Sequence, residues 1–162
     1  MNSIYLRKKE DESVSDLLVP YLKRAGLNPE KIGREYLTQI AHLLKENLVV
    51  LSQVEEYLGI FFDERFAFEE SARAILADAK NRETLQLALG VFEAFQEMTV
   101  DSWPSLQAQL EEKTGRKGKS LYAPLRAGIT GKMKGPELAK TLPLIGKERI
   151  IRRLKMALEF RI

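Results

Sequence analysis

Residues 118–154 read GKSLYAPLRAGITGKMKGPELAKTLPLIGKERIIRRL, and the spacing within this stretch decides the fold. Apolar side chains recur at steps of three and four, the period of a helix with one buried face. The alternation that marks a half-buried strand is missing. Three short helices are predicted, over 121–130, 136–145 and 147–160, with a glycine-bounded loop at 131–135. Pro136 is expected at the first helical position, where its missing N–H costs nothing.

The same stretch holds most of the basic charge. Residues 113–162 carry 14 Lys/Arg against three acids, leaving 12 basic and 20 acidic residues for the remainder. The net charge of +3 therefore hides a basic module joined to an acidic one. Such polarity is the footprint of a surface for polyanions, most often nucleic acid. Solvated faces of amphipathic helices would carry the same charges.

Upstream, helical periodicity continues. Ser13 or Ser15 could cap a first helix bearing Val14, Leu17, Leu18, Tyr21 and Leu22, strained by Pro20 if that residue lies beyond the first turn. Gly26 is a stop, and Asn28-Pro29 a restart. Apolar spacing then runs from Ile32 to Leu58, long for one globular helix, so a break is expected near Asn47. Gly59-Ile-Phe-Phe-Asp63 ends the run with aromatics that seal a core. Helices follow around Ala72–Leu76, after Asn81, and from Ser102-Trp103-Pro104 to Gly115. The fold class is all-α, in two parts, 1–97 and 98–162.

Cysteine is absent, which removes disulfides and thiolate metal sites and fits a reducing cytoplasm. No apolar run approaches the roughly 20 residues of a membrane span. GRKGKS at 115–120 resembles the end of a phosphate-binding loop, but position 113 is lysine where that motif needs glycine, and no strand precedes it. The sole histidine, His42, sits in a helical pattern with no second ligand nearby. No catalytic or metal-binding constellation is found.

Within the basic module, Arg126 lies among apolar neighbours that would hold its guanidinium on a rigid platform, able to bond a base edge or stack on a base. Gly135 before Pro136 would let a ligand approach the backbone closely. Leu138 could wall a splayed base or simply pack the core. Lys132 and Lys134 suit phosphates as point charges. Lys147, Arg149, Arg152 and Arg153 spread around one helix whose apolar side is Ile150, Ile151, Leu154 and Leu158, and would hold nucleic-acid backbone electrostatically.

Taken in order, Pro124-Leu125-Arg126, Thr130-Gly131, Pro136-x-Leu138 and Gly146-Lys147-x-Arg149 resemble the closing segment of bacterial glutamyl-tRNA synthetases. Residues 2–9 (NSIYLRKK) and 43–62 resemble upstream parts of the same family, so the likeness covers essentially the whole chain, more weakly over 66–114. The resemblance implies an α-helical anticodon-binding cage of two packed subdomains, with Arg126, Gly135, Pro136 and Leu138 on the anticodon. It places Asn47 where discriminating members often carry an arginine for the third base. The implied partner is tRNA(Glu), with tRNA(Gln) admitted as well if that discrimination is lacking, and the implied state a cytoplasmic monomer. ATP and magnesium would belong to a nucleotide-binding domain outside this chain, which alone would be inactive. A free-standing helical adaptor for RNA or an acidic protein is the alternative.

Overall fold

The computed structural model describes residues 10–48 and 50–159. The expectations for residues 2–9 and for a helix reaching Phe160 lie outside the described residues. Among those described there are ten α-helices and no strand, and contacts divide the chain into two compact units, Met1–Leu58 and Gly59–Ile162.

In the first unit, α1 (Asp11–Arg24) turns Val14, Leu18 and Leu22, four residues apart, into one buried face that packs on the helix at Arg34–Leu44. Glu10 is its N-cap residue, without a side-chain cap bond, and Ser15 is buried. Neither Ser13 nor Ser15 therefore caps this helix. Pro20 lies in the helix interior with its ring exposed, and the helix forgoes one bond to the Asp16 carbonyl. Asn28 caps α2 (Pro29–Ile32) as its sequence suggests, accepting the Glu30 N–H at 3.0 Å. Gly33, at φ +93°, ends α2 after one turn and opens α3 (Arg34–Leu44). The expected break follows at the turn 45–47. A 3-10 turn, Leu51–Gln53, leads into α4 (Val54–Phe61), whose last residues, from Gly59, belong to the second unit.

The second unit contains α5 (Glu70–Leu76), α6 (Ala79–Ala94), α7 (Trp103–Thr114), α8 (Lys119–Thr130), α9 (Leu138–Ile145) and α10 (Lys147–Glu159). Helix α6 is its hub, packing on α5, α7, α8 and α10, with Leu85, Ala88 and Phe92 fully buried. It starts on Asp78, whose carboxylate accepts the Lys80 and Asn81 N–H groups at 2.8 and 3.1 Å. Asn81, expected to precede this helix, lies within it and donates instead to the Ile75 carbonyl at 2.9 Å. The 97/98 boundary read from the sequence falls between α6 and α7, which pack together within this unit. The change of charge comes later, at Lys113 inside α7.

Helix α8 contains Pro124, which cannot bond the Ser120 carbonyl four residues back. Arg116 Nη1 donates to that carbonyl at 3.1 Å and to Asn81 Oδ1 at 3.0 Å, so the proline costs no unpaired acceptor. Helix α9 begins at Leu138, with Glu137 as N-cap. Pro136 precedes the helix by two residues, contrary to the sequence expectation, and is buried.

One arginine joins the second unit's helix ends. The last carbonyls of a helix have no intrahelical donor, and Arg153, 1% exposed, supplies donors to two such ends. It donates to the Gly59 and Ile60 carbonyls in the last turn of α4 at 3.2 and 2.6 Å, and to the Ile129 carbonyl at the end of α8 at 3.0 Å. Asp63 Oδ1 lies 3.3 Å from Nη2, and the guanidinium carbon sits 4.1 Å from the centre of the Phe66 ring. Such a site tolerates a buried positive charge because helix C-termini are partly negative and an acid is at hand. Arg153→Met removes the donors and leaves these carbonyls buried. It is expected to lower the unfolding free energy by about 3 kcal/mol in urea titration, and a loss under about 1 kcal/mol would show the clamp to be dispensable.

Candidate nucleic-acid interface

The end of α8 and the loop that follows hold five of the eleven residues singled out by sequence, Arg126, Lys132, Lys134, Gly135 and Pro136. Gly131 takes φ +73°, the left-handed region that stops helices. A side chain there would also collide, since an added Cβ would stand 2.2 Å from the Ala67 carbonyl oxygen. The close approach permits a cross-chain bond, in which the Glu69 N–H donates to the Gly131 carbonyl at 2.8 Å. Lys132 Nζ pairs with Glu69 Oε1 at 2.5 Å, its side chain only 16% exposed. Thr130 Oγ1 accepts from the Lys132 N–H at 3.2 Å, closing the turn.

Arg126 lies on α8, half-buried, and its Nη1 donates to the Pro136 carbonyl at 3.0 Å. Burial pushes its pKa below the ordinary arginine value. Gly135 makes this approach possible, because a Cβ there would press to 3.3 Å from Arg126 Nη1 and 3.4 Å from Ile60 Cδ1. The structure thus brings Arg126, Gly135 and Pro136 together at one edge, with the guanidinium laid across the loop backbone rather than projecting from it. Its remaining donors can meet a base edge or a phosphate. Leu138 is 6% exposed and packs the core, so it offers no apolar wall for a base.

The basic residues sort sharply. Lys134 is exposed and holds no ion pair among the described residues, as a phosphate contact requires. Lys147 is half-buried at the start of α10. Arg152 pairs with Asp63 Oδ2 while its side chain stays 56% exposed. Arg149 donates to the Phe61 carbonyl and lies 3.4 Å from Asp63 Oδ1 through Nε. Arg153 is buried and cannot reach a phosphate, which corrects its reading as a backbone contact. The sequence contained the signal: Ile150, Arg153, Leu154 and Ala157 are the buried residues of α10, and their steps of three, one and three follow its inner face. Nothing comparable marks Glu69 or Asp63, whose partners lie 63 and 89 positions away. Asn47 belongs to the first unit, exposed in the turn after α3, with its N–H bonded to the Leu44 carbonyl at 2.8 Å.

Residues 13–158 match the family model of the anticodon binding domain. The chain belongs to this family. The anticodon-binding chain is 32% identical over 163 residues to the glutamate–tRNA ligase of Desulforamulus reducens, covering 98% of this chain and 34% of that protein. It is 31% identical over 158 residues to the glutamate–tRNA ligase of Bacillus subtilis, covering 96% and 33%. The anticodon-binding chain thus spans about a third of the length of the curated relatives it matches. Its fold is that of a glutamate–tRNA ligase of Elizabethkingia meningosepticum, with a TM-score of 0.80 at 22% identity over 98% of this chain and 31% of that one.

Two glycines test the crossing at the loop. Gly115 also has a positive φ, +69°, but an added Cβ there meets nothing within 4 Å. Gly115→Ala is expected to cost about 1 kcal/mol through backbone strain alone, and Gly131→Ala at least twice that in thermal or urea unfolding. Equal losses would mean that Ala67 yields freely.

Proposed function

We propose that the chain is the anticodon-recognition region of a glutamate–tRNA ligase and grips splayed anticodon bases of tRNA(Glu) along the Arg126–Pro136 edge. The observation that carries this reading is the bond from Arg126 to the Pro136 carbonyl. It joins two of the motif residues that carry the family likeness, within a chain that belongs to the anticodon-binding family. A half-buried guanidinium with donors to spare meets a base or phosphate in a medium less screening than water, which strengthens each bond it makes. Gly135 lets that guanidinium lie close against the loop backbone, and Lys134 adds a phosphate contact from the loop tip.

Positioning is then the task of this region, and aminoacylation that of a nucleotide-binding domain outside these 162 residues. ATP and magnesium act there, and the anticodon region takes no cofactor and has no activity alone. Asn47, standing in place of a third-base arginine, presents no guanidinium, which favours acceptance of tRNA(Gln) beside tRNA(Glu). The protein works as a cytoplasmic monomer.

Anisotropy titrations with labelled tRNA(Glu) and an unrelated tRNA, at two salt concentrations, test the reading. Arg126→Ala is expected to weaken tRNA(Glu) by roughly tenfold, within the range for losing a base contact, and Arg126→Lys to restore little of it. Lys134→Ala should weaken both RNAs alike and lower the salt slope by about one unit. Equal binding of both tRNAs, indifferent to Arg126→Ala, would refute anticodon recognition. Capture of an acidic protein with no tRNA binding would favour the adaptor instead.

A further inference from the structure

The Glu69–Lys132 pair joins the start of the 131–137 loop to a segment remote in sequence. It does not stand alone, because the Glu69 N–H also holds the Gly131 carbonyl and the Ala67 carbonyl fills the space beside Gly131 Cα. The far end of the same loop is held by Arg126 at Pro136. Between the two anchors only Met133, Lys134 and Gly135 remain, and these carry the exposed lysine and the glycine on which Arg126 lies. Lys132 itself is largely covered, its ammonium already taken.

We propose that Glu69 is a positioning residue for nucleic-acid binding, an acid that works by immobilising Lys132 and so presetting the 131–137 loop. The inference rests on the reading of the Arg126–Pro136 edge as the tRNA-binding edge. It also reassigns Lys132 from phosphate contact to loop anchor. A preset loop pays its ordering entropy during folding, so none is charged against RNA binding.

The proposal predicts a sign opposite to plain electrostatics. Glu69→Gln makes the chain one charge more positive and frees an ammonium, so if Glu69 were a bystander, RNA would bind more tightly with a steeper salt slope. If Glu69 presets the loop, binding weakens by about fivefold, the scale of one charged hydrogen bond lost at a partly covered site. Lys132→Met should weaken binding to a similar degree without lowering the salt slope, whereas loss of a phosphate contact would lower it by about one unit. The double variant should be no worse than the worse single one, because the two residues act as one device.

The measurement uses the whole chain with a labelled anticodon stem-loop, after matched thermal unfolding confirms that each variant is folded. Trypsin cleavage after Lys134 in the absence of RNA gives a second readout, independent of tRNA recognition. Cleavage should be several-fold faster in Glu69→Gln than in the parent chain. Unchanged cleavage, tighter stem-loop binding by Glu69→Gln, or a lower salt slope in Lys132→Met would each overturn the proposal. If the parent chain fails to bind the stem-loop, the anticodon reading falls, while the cleavage rates still decide whether Glu69 sets the loop.

Discussion

The second unit is organised around a buried positive charge placed where two helices run out of donors. Arg153 bonds the last turn of α4 and the last turn of α8 at once, with Asp63 and the Phe66 ring completing its surroundings. Because both helix ends answer to the same guanidinium, the chain leaving α8 starts from a determined place. The segment leaving α4 is led past Asp63 and Phe66 to Ala67 and Glu69, the residues that meet Gly131 and Lys132. A second arginine repeats the device elsewhere: Arg82 donates to Leu76 at the end of α5 and to Ala157 and Leu158 near the end of α10. Arginine suits this work because its fork reaches several carbonyls in fixed directions.

That use of arginine changes what the basic charge means. Of the positive residues in 113–162, Arg116, Arg149, Arg153 and Lys132 are engaged with carbonyls or acids within the fold, and Arg152 partly so. Lys113, Lys117, Lys119, Lys134 and Lys155 are exposed. The field felt by a distant polyanion counts all of these charges, since Coulomb attraction reaches about 8–10 Å even in salt. Contact with a phosphate counts only those with a free donor. The strong local basicity therefore acts at a distance, while the exposed lysines and the Arg126 edge keep donors for contact.

Backbone proximity does as much as charge at this edge. Gly59, Gly131 and Gly135 each sit where a Cβ would press on a neighbour, at the Arg65 carbonyl, the Ala67 carbonyl and the Arg126 guanidinium respectively. Glycine at 135 brings Arg126 onto the loop, and glycine at 131 lets the 67–69 segment lie against it. Arg126 and the 135–136 backbone could be paired from the sequence through a motif. The clamp at the other end of the loop could not, because Glu69 looks like any acid on a polar stretch.

Spacing and punctuation alone determined that the chain is helical, where most of its helices lie, and that Asn28 and Gly115 bound two of them. These follow from the helical period and from local cap chemistry, which act within a few residues. Tertiary structure decided which helix ends Arg153 bonds, that Pro136 stops short of α9, that Leu138 is core and that the 97/98 point is no packing boundary. It alone paired Glu69 with Lys132. Each of these depends on which carbonyl, acid or side chain arrives from dozens of residues away. Helical spacing puts Arg153 on the inner face of α10, but which carbonyls and acid its guanidinium meets is settled only by the folded packing.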